Sequence, residues 1–139
     1  MAETATHKLQ CVIVTPETTV LDQPVDFVAL PLFDGELGVL PGRAPLVARL
    51  GYGELRTQTG STTARYYIDG GFLQIDKNIV SVLTPRALPA ERIDPATAKG
   101  SLESANRDVP TTPEGFEAKV ISLSRARAQI HIAHRAGKA

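Results

Sequence analysis

Through the first ninety residues, apolar and polar side chains alternate with a period close to two. Leu9, Cys11 and Ile13 interleave with Gln10, Val12 and Val14, and Val25, Phe27 and Ala29 interleave with Asp26, Val28 and Leu30. Further short runs span Leu46 to Leu50, Leu55 to Thr59, Thr63 to Ile68, Phe72 to Ile75 and Ile79 to Thr84. This is the strand period, because successive side chains of an extended chain point to opposite faces. Turn-forming residues separate the runs: Thr15-Pro16-Glu17, Asp34-Gly35, Pro41-Gly42, Gly51-Tyr52-Gly53, Thr59-Gly60, Asp69-Gly70-Gly71 and Asp76-Lys77-Asn78. Gly and Asn supply the positive φ that tight turns require. Many short strands at such spacing predict a sandwich or barrel whose apolar inner faces bury each other.

The pattern changes after Thr84. Pro85 and Pro89 mark a connector, and Asp94-Pro95 starts a helix with Asp as N-cap and Pro in its first turn. Ala98, Leu102 and Ala105 share one face, although Gly100 and two serines weaken the helix. Val109-Pro110-Thr111-Thr112-Pro113 interrupts, and Thr112-Pro113-Glu114 repeats the start signal. Phe116, Val120, Leu123, Ala126, Ile130 and Ala133 then form one apolar stripe over about five turns. The predicted class is β + α: an N-terminal antiparallel β-sandwich over residues 1–88, then an antiparallel two-helix hairpin over residues 89–139.

With 139 residues and 42% hydrophobic, the chain suits one domain with an appendage. Fifteen basic and fifteen acidic side chains cancel, which excludes a nucleic-acid-coating role. A single cysteine excludes a disulfide framework and a Cys-rich zinc site. The first residues form no apolar signal region, and no apolar run approaches a bilayer span. A soluble, cytoplasmic protein is expected, with any membrane role reached through a partner and no direct membrane insertion. The charge is uneven, however. Residues 1–90 hold seven basic and nine acidic side chains, whereas residues 91–139 hold eight and six. From Ala118 onward come Lys119, Arg125, Arg127, Arg135 and Lys138 with no carboxylate side chain, so an acidic partner surface is expected for that end.

Candidate chemistry is sparse. His7 and Cys11 share a strand face as an imaginable base and nucleophile, but strand rise puts them about 13 Å apart, and a buried thiol is the better reading. His131 and His134 lie three apart on the second helix without a third ligand, so no metal site is assigned. Gly35 to Gly42 is glycine-rich but lacks the Gly-Lys-Ser/Thr ending of a phosphate loop, and tight turning between strands explains it. No spacing suggests a catalytic triad or carboxylate pair. These residues favour a binding or assembly role over an enzyme.

The segment Asp34-Gly-Glu-Leu-Gly-Val-Leu-Pro-Gly-Arg-Ala-Pro-Leu46 resembles a signature of the F-type ATP synthase epsilon subunit, the counterpart of the mitochondrial delta subunit. Tyr67-Ile-Asp-Gly-Gly-Phe72, followed by Asn78-Ile-Val-Ser-Val-Leu-Thr84, resembles its second signature, and Leu9-Gln-Cys-Val-Ile-Val-Thr-Pro-Glu17 fits its opening. The match covers most of residues 8–92 in the right order and is looser beyond. The resemblance implies a non-catalytic subunit of the synthase rotor, on the cytoplasmic face of the cell membrane. There the sandwich joins the gamma subunit to the c-subunit ring, and the hairpin either folds down or extends to restrain ATP hydrolysis.

Residue by residue, the resemblance implies a c-ring interface at Asp34, Glu36, Gly42 and Arg43. Arg43 stands where the family usually carries histidine; it keeps a cation but does not titrate near neutral pH. Thr15 is the implied gamma contact. Arg125, Arg127, His131 and Arg135 are the implied inhibitory cations, meeting acidic segments of the catalytic alpha and beta subunits. Some members bind ATP on the hairpin through Ile/Leu-Asp-x-x-Arg-Ala. Here Ile93-Asp94-Pro95-Ala96-Thr97-Ala98 has Thr97 at the arginine position, removing a phosphate partner. A nucleotide site would be left with Ile93, Asp94, Arg125 and Arg127, and no cofactor is assigned. The alternative is a free-standing β-sandwich recognition module, but the absence of Trp and the helical hairpin argue against it.

Overall fold

The computed structural model describes residues 8–136. Eight strands come first: β1 (Leu9–Val14), β2 (Thr19–Val25), β3 (Phe27–Leu32), β4 (Gly35–Val39), β5 (Leu46–Thr59), β6 (Thr62–Asp76), β7 (Ile79–Leu83) and β8 (Ala87–Pro89). A short 3₁₀ turn, Ala90–Arg92, leads to helices α1 (Pro95–Arg107) and α2 (Pro113–Arg135). The strands form one sheet in the order β2-β1-β7-β6-β5-β3-β4, with β8 also paired to β6.

That sheet becomes a sandwich because β5 and β6 are long enough to serve both layers. Their first-layer halves pair Leu46 with Ile75 through Leu50 with Gly71, and their second-layer halves pair Tyr52 with Asp69 through Thr59 with Thr62. The sequence pattern divides each into two strands at Gly51-Tyr52-Gly53 and Asp69-Gly70-Gly71. In the structure those glycines bend continuous strands instead of ending them. Gly71 has φ +108°, and a Cβ there would lie 2.0 Å from the Leu83 carbonyl oxygen. Only a residue without a side chain lets β7 pass so close.

Three other expectations change. Glycine-rich residues 35–39 form β4, paired antiparallel with β3 around the turn at Phe33 and Asp34. The run from Val25 to Leu30 is broken at Asp26, whose backbone N–H donates to the Gln58 carbonyl. The sandwich is not wholly antiparallel, since β1 runs parallel to β7. Its interior gathers Leu9, Cys11, Ile13, Leu55, Leu73 and Val82 among other fully buried side chains. A fully buried aliphatic side chain contributes about 1.5–3 kcal/mol.

The helix starts follow their sequence signals. Asp94 Oδ1 accepts from Ala96 N–H at 3.1 Å, and Thr112 Oγ1 accepts from Gly115 N–H at 3.0 Å. Helix α1 packs on α2, which in turn lies along β5 and β6. The predicted apolar stripe is only half used. Ala126 and Ala133 are buried, but Phe116 remains 63% exposed and Val120 48%. A surface helix has two neighbours here, and α1 is much the shorter helix, so the start of α2 projects past its cover.

Candidate functional site

Three exposed or semi-exposed regions carry the features of interest. The first is the end of the sandwich around the β3–β4 turn. Asp34 and Arg43 line one cleft of about 450 Å³ together with Phe33, Leu37, Leu46 and Arg49. The Arg49 guanidinium lies 4.3 Å from the Phe33 ring centroid, a cation–π arrangement. Glu36 is exposed on β4 opposite Pro31 and does not line that cleft. Gly42, with φ +88°, donates its N–H to Asn78 Oδ1 at 2.7 Å, which ties its loop to the β6–β7 turn.

The second region is the outer face of the first layer. Register places Arg49, Phe72, Leu83 and Val14 in one row across four strands, with Val47, Gln74, Ser81 and Val12 in the next. Val47, Phe72, Ile79 and Leu83 are exposed, Val47 at 72%. Thr15 follows at the end of β1, beside this row. Its own side chain is buried, and its hydroxyl donates to the Thr18 carbonyl within the turn. The exposed feature is therefore the Phe72–Leu83 part of the row, flanked by Val47 and Ile79 in neighbouring rows, which sequence reasoning missed. One signal was available: Ile79, Val80, Val82 and Leu83 give β7 apolar residues on both faces.

The third region is the seat of α2 on the second layer. Tyr67, Ala90, Ile93, Ile132 and Ala133 form a small second core, with Leu88 and Ala128 packed against it. Polar contacts surround it. Tyr67 donates its hydroxyl to Asp69 Oδ1 at 2.6 Å, and Arg125 Nε donates to the same oxygen at 2.8 Å. Burial, then the Asp69 carboxylate, push the Tyr67 phenol well above its usual value. Burial works against the Arg125 cation, but Asp69 outweighs it and holds the guanidinium protonated. Glu54, with a side chain only 6% exposed, meets Arg56, Arg65 and Arg135.

The four expected inhibitory cations are thereby split. Arg125 and Arg135 face sandwich carboxylates. Arg127 and His131 line a separate cleft of about 440 Å³ with Lys99, Leu102, Ile130 and His134. The four nucleotide candidates are not brought together. Ile93 is buried in the second core, and Arg125 is held by Asp69. Asp94 caps α1 and accepts the Thr97 hydroxyl at 2.6 Å. Arg127 lies with the histidines.

Among the described residues no three His, Cys, Asp or Glu side chains gather as a metal set. Burial pushes the Cys11 thiol up to about 12, so it is no thiolate near neutral pH. His7 and Lys138 lie outside the described residues. No helix among them is long and apolar enough to cross a membrane.

The family model for the ATP synthase Delta/Epsilon chain beta-sandwich domain matches residues 8–90. An ATP synthase epsilon chain from Rhodopirellula baltica is 51% identical over 122 residues, covering 88% of this chain and 95% of its own length. One from a Synechococcus species is 36% identical over 129 residues, covering 91% and 93%. Among solved structures, a chain of the Euglena gracilis mitochondrial ATP synthase, in an OSCP/F1/c-ring assembly, superposes with TM-score 0.80. It is 24% identical and covers 94% of this chain and 81% of its own, so it speaks for the fold alone. The same holds for a chain of the Tetrahymena thermophila central stalk and c-ring, with TM-score 0.72 and 14% identity over 91% of this chain and 96% of its own.

Proposed function

The chain belongs to the ATP synthase epsilon family, non-catalytic subunits of the synthase central stalk, and from that premise we propose that its sandwich couples the gamma subunit to the c ring while its hairpin, once released, restrains ATP hydrolysis. The observation that carries the coupling half is the exposed apolar row on the first layer. An apolar row on a finished sandwich has lost its burial energy unless a partner covers it. Gamma is the partner proposed for that row, whose edge is marked by Thr15. The c-ring loops are proposed to meet the sandwich end around Asp34, Glu36, Gly42 and Arg43, where charge gives steering and register more than affinity. A close-packed sandwich between these two surfaces resists deformation, as torque transmission requires.

The regulatory half draws support from the composition of the α2 seat. Five residues form its apolar core, and ion pairs supply the rest. Such a seat suits reversible docking. In the released form Arg125, Arg127, His131 and Arg135 would be free to meet acidic segments of the alpha and beta subunits. The reading needs no nucleotide lock, since Asp94 is engaged at the α1 N-terminus and Thr97 replaces the motif arginine. The location that follows is peripheral, on the cytoplasmic face of the cell membrane.

The test adds the chain back to its cognate catalytic head stripped of this subunit. Full-length protein and a form ending at Ala90 should both co-purify with gamma, and only the full-length form should slow hydrolysis. Phe72→Glu and Leu83→Glu should abolish co-purification while leaving the sandwich folded. Retention of gamma by both charge variants would remove the apolar row from the interface.

A further inference from the structure

Two carboxylates of the second layer receive arginines from α2, but they depend on that helix differently. Glu54 already pairs with Arg56 at 3.3 Å and Arg65 at 3.0 Å, both from the sandwich itself, and Arg135 joins at 3.5 Å. Losing α2 leaves Glu54 with two cations. Among the described residues Asp69 has one cation, Arg125, at 2.8 Å. Its side chain is only 10% exposed, and the Tyr67 hydroxyl is its other side-chain donor. A buried carboxylate stripped of its cation is costly, and one hydroxyl does not replace it. Arg125 is 47% exposed, so on leaving it returns readily to water, giving up its contact with the Tyr52 ring 5.3 Å away. The polar part of the seat's attraction for α2 thus falls mainly on one pair, beside the apolar contacts of Ile132 and Ala133.

We infer that Asp69 and Arg125 form the latch that stores α2 on the sandwich and, while closed, withholds Arg125 from any acidic partner. The second half rests on the braking role proposed above; the first does not. The pair yields an asymmetric consequence. Asp69→Asn opens the latch and leaves the cation on the released helix. Arg125→Gln opens the same latch and removes the cation. Two substitutions with one structural effect should have unequal effects on hydrolysis.

The experiment uses the full chain with nitroxide labels on cysteines introduced at the exposed positions Ser61 and Ser122, Cys11 being buried. Electron–electron double resonance reads the distance between the sandwich and α2. The parent should give one narrow distribution. Asp69→Asn and Arg125→Gln should each add a longer, broader population, shifting the docked-to-released ratio by about tenfold. Arg125 sits on the partly exposed helix, so its variant tests the latch without disturbing the sheet corner at Gly70. Unchanged distances in both variants would overturn the latch. A shift with Asp69→Asn alone would also overturn it, by assigning the effect to the sheet corner, and a shift with Arg125→Gln alone would overturn Asp69 as the partner. In the second arm, Asp69→Asn should slow hydrolysis by the cognate head more than the parent does, and more than Arg125→Gln. Shifted distances with unaltered hydrolysis would leave the latch standing and remove the braking role.

Discussion

The core between the two strand layers consists of aliphatic side chains and one thiol, whereas the seat beneath α2 surrounds a few apolar contacts with tyrosine, carboxylates and guanidinium groups. The first buries residues drawn from seven strands and closes through glycines that admit no side chain. The second joins one helix to one face. Apolar burial is non-directional and summed over many groups, so the first core holds as a unit. The second rests on few apolar contacts and two ion pairs to one helix, so it is expected to open without the first. Permanence in one region and reversibility in the other suit the coupling and braking roles proposed above.

The sharpest way to break this contrast is at the sheet corner. Gly71→Val puts side-chain atoms into the Leu83 carbonyl at positive φ, and a loss above about 4 kcal/mol is expected. Urea denaturation should show the whole sandwich failing, hairpin included. Ile132→Ala empties a fully buried position of the second core. A cost of about 2–4 kcal/mol is expected, but it should fall on docking alone. Hydrogen exchange should quicken in α2 while sandwich strands keep their protection; equal loss in both would merge the two cores into one.

Tyr67→Phe removes only the hydroxyl that donates to Asp69. A shift of about 1 kcal/mol is expected, visible as increased release of α2 with an unchanged sandwich midpoint. The smallest effect belongs to Asp26, far from the seat. The Gly60 N–H first, then Lys8, hold its carboxyl below the ordinary value of 3.8. A depressed folded value contributes stability above the unfolded value and loses it as pH falls through the folded one. Asp26→Asn should therefore lower the thermal midpoint slightly at neutral pH, and the difference from the parent should vanish in strong acid.

Much of the fold was legible in the chain because strand period, turn residues and helix caps are local signals. Asp94 and Thr112 cap the helices where the pattern says they do. The bends of β5 and β6 were misread as turns, since a glycine that ends a strand and one that bends it look alike until the neighbour is known. Residues 35–39 hid a strand for the same reason. At the candidate site, the family motifs drew attention to Asp34, Glu36, Gly42 and Arg43. They gave no hint that Asp69 would meet Arg125, a partner 56 residues away.

By itself, then, the sequence determined most of the strand runs, the two helices and their caps, because each depends on residues close in the chain or on simple alternation. The tertiary structure alone decided that β5 and β6 serve two layers and that an apolar row stays uncovered on the first. It also decided that Arg125 and Arg135 turn inward to sandwich carboxylates while Arg127 and His131 do not. A charge shows its sign in the sequence, but its partner is chosen by which distant backbone the fold brings within about 3 Å.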